Sequence, residues 1–204
     1  RSELVEAETS FTAYQEFQSM LTRDRIDIFM VGEFDDYQVL QALHRFPLEG
    51  RQVDLQFSYS QPYVNVVKEK IEPRQSSQSI LQLGYQFPCQ YGDKDYFALI
   101  VFNAMFGEFA HSALFTTLRE KEGLAYSISS QFDIFTGLLE VYAGIEKSNR
   151  DQAMRGISRE LNYIKLGRFS SSLLNQTKKI IRMNALLSED HALTLVEQRF
   201  NKVI

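Results

Sequence analysis

The sequence predicts an α+β fold within the broad α/β class, a two-layer sandwich in which a mainly antiparallel sheet carries helices on one face. Three observations point there. Strand-like stretches come in pairs and helical stretches follow them in pairs, the order expected when helices are segregated to one face of an antiparallel sheet. Leu139, Val141, Ala143 and Ile145 recur at every second position, so one face of that strand is buried and the other wet. The stretch from Asp93 to Phe106 is apolar nearly all round, which places it deep in a core.

Taken in order, Glu6 to Leu21 reads as a helix that Thr9 or Ser10 caps, with Phe11, Tyr14, Phe17 and Leu21 at helical spacing. Asp27 to Phe34 is a short, nearly continuous apolar run rich in β-branched and aromatic residues, expected to be a buried strand. Asp35 or Asp36 caps a second helix, with Val39, Leu40, Leu43 and Phe46 along one face and Pro47 at its end. Residues 49–73 read as an extended connector. Val53, Leu55, Phe57 and Tyr59 alternate there as in an edge strand, and Pro62 and Pro73 punctuate it. Val64 to Ile71 and Ser79 to Phe87 read as strands, the second with Leu81, Leu83, Tyr85 and Phe87 on one face.

Asp93 is expected to cap the apolar helix and Gly107 to break it. Ala110 to Lys121 follows as a helix that Gly123 stops, and Leu124 opens a strand at once. That strand runs to Phe135, turns at Thr136-Gly137 and returns through Ile145 as a hairpin. Asn149 or Asp151 starts a helix with Ala153, Met154, Ile157, Leu161 and Ile164 in register, and Gly167 ends it. Ser170 to Ser172 cap a last long helix bearing Leu173, Leu174, Thr177, Ile181 and Leu187; residues 189–204 read as part of another.

Composition narrows the function classes. Apolar residues are 44% and aromatics 13% of 204, enough for a sizeable core and unlike a disordered chain. The 22 basic and 26 acidic side chains are well mixed and the net charge is −4, which argues against a nucleic-acid surface with its basic stripe. Nothing approaches the roughly eighteen apolar residues of a membrane span. The single Cys89 cannot form an internal disulfide and fits a reducing, cytoplasmic setting. Position 1 is Arg, inside a charged segment with no signal-peptide pattern, so the chain reads as a piece of a longer protein.

Hydrolytic zinc requires about three protein ligands and a general base. The three histidines, His44, His111 and His191, stand outside any H-x-x-E-H pattern and read as capping or solvated side chains. The stretch with the most specific chemistry is Phe106 to Ile134, where a helix, a charged turn and a strand meet without a long loop. Such a corner holds Arg119 and Tyr126 on rigid elements. On spacing alone two readings stand. In one, both side chains offer hydrogen-bond donors to developing negative charge. In the other, Arg119 pairs with a local glutamate and Tyr126 packs in the sheet.

Phe115, Leu118, Arg119, Glu120, Lys121, Gly123, Leu124, Ala125, Tyr126 and Ser127 match F-x-x-L-R-E-K-x-G-L-A-Y-S at every specified position. In this the chain resembles the C-terminal half of the insulinase- or pitrilysin-type zinc peptidases, family M16. Phe106 to Phe115 is most similar to a bacterial branch whose members act in pairs, one partner often lacking the zinc motif. The resemblance implies an M16-like α/β fold with three parts. Residues 1–48 would be the helix-strand-helix tail of a first half, 49–73 a linker, and 74–204 a second domain cut short at its C-terminus. It places the zinc ligands in the other half or in a partner subunit, with no metal in this chain. Arg119 and Tyr126 would reach across a cleft to hold peptide backbone and oxyanion. A peptide adding as a strand to the 124–146 hairpin would be lined by the polar run Ser127 to Gln131, with Ser127 and Ser129 as substrate contacts. The implied partners are a peptide and another M16-type half or subunit, as a homo- or heterodimer, with no nucleic acid and no membrane. Two functions are left open by this: half of a peptidase, or a zinc-less partner that encloses peptide for a catalytic subunit. A structural domain without a site is the third.

Overall fold

The computed structural model describes residues 5–46, 63–73, 75–90 and 92–200. The chain divides into two compact units, Arg1–Ser58 with Leu186–Ile204, and Tyr59–Ala185.

In the first unit, α1 (Ser10–Arg23) begins at a capping box. Thr12 N–H donates to Thr9 Oγ1 at 3.2 Å and Thr9 N–H donates to Thr12 Oγ1 at 2.9 Å, so two of the donors that a helix start leaves orphaned are satisfied. Asp35 caps α2 (Asp36–Leu43), its Oδ1 accepting from the backbone of Tyr37 at 2.8 Å and Gln38 at 3.2 Å. Pro47 and the alternating run Val53–Tyr59 lie outside the described residues.

The run from Asp27 to Phe34, expected as a buried strand, is not one: it has no strand pairing among the described residues. Ile28, Met30, Val31 and Phe34 are each about half exposed, and Phe29 meets the Phe200 ring edge-on at 6.2 Å. A strand is held by a neighbour that takes its N–H and C=O groups. Apolar composition supplies the inclination but not the neighbour. The same reason corrects Val64 to Ile71, which is irregular, with Val66, Val67 and Ile71 exposed and the Val64 N–H donating to Gln86 Oε1 at 2.9 Å.

The second unit is built on a three-stranded antiparallel sheet in the order β1–β3–β2, formed by β1 (Ser79–Gln86), β2 (Ala125–Asp133) and β3 (Leu138–Ile145). The register sets Leu81 and Ile128 on either side of Ala143, and Leu83 and Ser130 on either side of Val141. These positions face the helices. The next positions, Gln82, Tyr142 and Ser129 in one row and Gly84, Glu140 and Gln131 in another, face outward. The turn between β2 and β3 ends at Gly137, whose φ of 66° suits glycine.

α3 (Tyr96–Asn103) runs directly into a π-helical segment, Ala104–Glu108. Asp93 does not cap it, since its carboxylate accepts from the Gln90 N–H at 2.8 Å and Asp95 stands at the cap position without a side-chain bond. Nor does Gly107 break the helix. It is buried inside the π segment, where an added Cβ would lie 2.6 Å from Ser130 Oγ and 2.8 Å from the Ser130 backbone nitrogen. The glycine lets helix and sheet touch. A second helical stretch begins only after a turn at Ala110–Ser112 and is π-helical over Phe115–Lys121. α4 (Arg150–Lys165) packs on it so closely that a Cβ at Gly156 would sit 3.2 Å from the Leu118 side chain. α5 (Ser171–Glu189) and α6 (Ala192–Phe200) complete the described helices. Phe106, Leu114, Leu118, Val141, Ile145 and Ile157 are almost wholly excluded from water at the centre of this core.

Candidate functional site

The corner from Phe115 to Glu146 is made by two one-residue irregularities. In the first, the helix widens from four-residue to five-residue hydrogen-bonded turns, a feature that recurs at functional sites. It closes with Glu122 N–H to Thr117 O at 2.9 Å and Leu124 N–H to Leu118 O at 2.8 Å. That closure needs a left-handed residue between them, which Gly123 provides with φ of 63°. Arg119 lies near the end of this segment, where the helix dipole favours a cation. It is exposed, its guanidinium carbon 4.5 Å from the centre of the Phe115 ring, and it has no carboxylate partner among the described residues.

The second irregularity is a β-bulge. Ala125 pairs with Ile145 and Ser127 with Gly144, so Tyr126 is the extra residue on β2. A bulge bends its strand and re-aims a side chain. Tyr126 is accordingly 52% exposed, and its hydroxyl donates to Glu146 Oε1 at 2.8 Å. That hydrogen bond, with the negative charge of Glu146, pushes the phenol above the usual tyrosine value. Each of the two expected site residues thus has its own partner, and no hydrogen bond joins them among the described residues.

Ser127 and Ser129 are exposed on the outward side of β2. Ser127 Oγ lies over the backbone of Gly144, where a Cβ would come within 2.8 Å of it, and Ser129 is opposite Tyr142. The same outward face carries Gln82 Nε2 donating to Tyr142 Oη at 2.7 Å and Gln131 Nε2 donating to Glu140 Oε2 at 2.9 Å. It is a polar surface of amides, hydroxyls and carboxylates beside the exposed Ile80.

Three features of the corner escaped sequence reasoning. Glu146 joins the site only because the bulge brings Tyr126 to it. Glu122, read as part of an ordinary solvated helix end, receives Arg159 Nη2 at 2.6 Å while Arg159 Nε reaches Glu160 at 3.0 Å, tying the corner to α4. Beneath β2, Ser130 Oγ donates to Asn103 Oδ1 at 2.7 Å and Asn103 Nδ2 to Glu108 Oε2 at 2.9 Å, so the buried polar atoms there are satisfied.

Among the described residues the donor set does not fit a zinc site. His44 stands at the end of α2, His111 Nε2 is bonded to Thr177 Oγ1 at 2.9 Å, and His191 Nδ1 is 3.3 Å from Thr194 Oγ1. Among the described residues no group of three or more His, Cys, Asp or Glu side chains is placed to hold a metal ion.

The profile of a family described as Peptidase M16 inactive domain matches residues 13–181. The chain belongs to this family. A curated relative, the "Probable inactive metalloprotease YmfF" of Bacillus subtilis, is 37% identical to this M16 domain over 190 residues, covering 93% of the chain and 45% of the relative. The "Uncharacterized zinc protease YmxG" of the same organism is 26% identical over 172 residues, covering 82% of the chain and 41% of that protein. The M16 chain therefore spans less than half the length of these curated relatives. Among solved structures, a conserved protein from Enterococcus faecalis superposes with a TM-score of 0.89 at 37% identity, over 98% of this chain and 47% of that one. A protease from Helicobacter pylori shares the fold, with a TM-score of 0.62 at 18% identity over 82% of this chain and 42% of its own. The helices and open three-stranded antiparallel sheet are thus the fold of M16 inactive domains, as the sequence implied. No helix among the described residues is long and apolar enough to cross a membrane.

Proposed function

We propose that this chain is the non-metal-binding half of an M16-type peptidase homologue. It helps bind an extended peptide and completes a site whose zinc is held by another M16 half or subunit. The observation that carries this reading is the corner itself. A helical widening and a strand bulge present Arg119 and Tyr126 to solvent at the edge of a polar sheet face, where a purely structural domain has no need of either irregularity. In this reading residues 1–48 belong to the first half, 49–73 link the halves, and 74–204 form the second domain. Ser127 and Ser129 line the peptide on β2, whose outer edge has no strand partner among the described residues.

A second reading is favoured by the relative named as a probable inactive metalloprotease. The parent is then a zinc-less partner that encloses peptide for a separate catalytic subunit. Bound zinc in the purified full-length protein separates the two: about one ion per chain supports the first, and none, with a metal-bearing subunit in the same fraction, supports the second. Arg119→Ala and Tyr126→Phe test the site in both. Peptide turnover by the assembled complex is expected to fall by about tenfold or more, as when a preorganised hydrogen-bonding group at the peptide is lost, with unchanged folding. Unchanged turnover in both variants would sink the proposed role.

A further inference from the structure

A phenol has one proton to give and two lone pairs with which to accept. At Tyr126 the proton is committed to Glu146 Oε1 at 2.8 Å, so the hydroxyl turns its accepting side outward, next to a carboxylate that only accepts. Tyr142, on the outward sheet face, has the opposite polarity: it accepts from Gln82 Nε2 at 2.7 Å and keeps its own proton available. Arg119 is all donor and has no carboxylate partner among the described residues. An oxyanion requires donors, whereas a main-chain N–H requires an acceptor.

We propose that Glu146 is a positioning residue that makes Tyr126 a hydrogen-bond acceptor for a main-chain N–H of an extended peptide, leaving donation at this corner to Arg119. The inference rests on the peptide-binding reading above and deepens it, assigning Tyr126 to holding peptide instead of stabilising an oxyanion. The register supports it. Ile145 pairs with both Ser79 and Ala125, which holds the end of β3 in place, and the bulge at Tyr126 sets the phenol against the residue that follows. Lys147, the next residue, makes no ion pair with Glu146 among the described residues, so the carboxylate stays available to the phenol.

Two measurements on the full-length protein test this. The first follows the ionisation of Tyr126 by NMR of carbon-13-labelled tyrosine. It is expected above the ordinary tyrosine range in the wild type and within that range in Glu146→Ala. An ordinary value in the wild type means the Glu146 contact is absent and overturns the proposal, whatever the second measurement gives. The second uses a short fluorescein-labelled peptide of alternating serine and valine, together with copies in which one backbone amide at a time is replaced by an ester that lacks the N–H. One ester position is expected to weaken binding to the wild type about fivefold. The same ester should have no effect on Tyr126→Phe or on Glu146→Ala, and Glu146→Gln, which keeps an accepting oxygen, should restore its effect. Esters that weaken wild type and Tyr126→Phe equally, or weaken neither, overturn the proposal while peptide binding itself stands. A probe that does not bind the wild type overturns both readings together.

Discussion

Gly107 and Tyr85 carry the clearest consequences at the level of single residues. At Gly107 a methyl group would collide with Ser130, whose backbone nitrogen cannot withdraw without moving β2. Gly107→Ala is expected to destabilise by about 1–3 kcal/mol, the usual cost of overpacking, seen as a lower denaturant midpoint at unchanged slope. An unchanged midpoint would mean that β2 gives way freely. Sequence reasoning took this glycine for a helix breaker, because the close approach that requires it comes from a strand more than twenty residues downstream. Tyr85 is partly buried, and burial pushes its phenol above the usual tyrosine value, against a smaller opposing effect of the Ser158 hydroxyl. The fold therefore holds the neutral phenol. Its contribution to stability is complete below the unfolded tyrosine value of about 10 and is lost as pH rises through the higher folded value. Tyr85→Phe is expected to flatten the alkaline fall in stability, which denaturant unfolding between pH 9 and 12 will show; an identical fall in both proteins would count against it.

At the scale of elements, the inward faces of the sheet and of α4 follow directly from periodicity. Leu139, Val141, Ala143 and Ile145 are all buried, as are Ala153, Ile157, Leu161 and Ile164. The corner was legible as an abrupt helix-to-strand junction with Gly123 at its end. Its two irregularities were not, since a π widening and a bulge each shift the pattern by one residue without changing which residues are apolar. Gly123→Ala tests the junction: with φ of 63° the alanine meets the left-handed penalty, expected to be about 1 kcal/mol. Deleting Tyr126 should restore a regular β2 ladder, leave the thermal midpoint near that of the parent, and remove the exposed phenol from the tyrosine titration. A large loss of stability instead would show that the bulge is structural and not a device for aiming a side chain.

For the molecule as a whole, the prominent fact is apolar surface on the first unit. Phe11, Tyr14 and Phe17 on α1 and Ile28, Met30, Val31 and Phe34 in the irregular run are each exposed. Apolar side chains left in water favour association with other apolar surface. The 204-residue chain expressed alone is expected to self-associate, with light-scattering mass rising with concentration, and Phe17→Ser with Met30→Ser should reduce the rise. A constant monomer mass at high concentration would count against this.

What the sequence by itself determined was what local chemistry can state. It contained β1, β2 and β3 as strands, a choice of caps that included Thr9 and Asp35, the buried stripes of β3 and α4, and the motif that marks an M16 domain. Each of these is written within a few residues and is read by period, capping or turn preference. Only the tertiary structure decided which apolar runs become strands, that Gly107 is a point of contact, and that the Tyr126 hydroxyl donates to Glu146. Those outcomes depend on which distant segment arrives alongside. Strand pairing, close packing and side-chain hydrogen bonds are interactions between partners, and a single stretch of sequence describes only one of them.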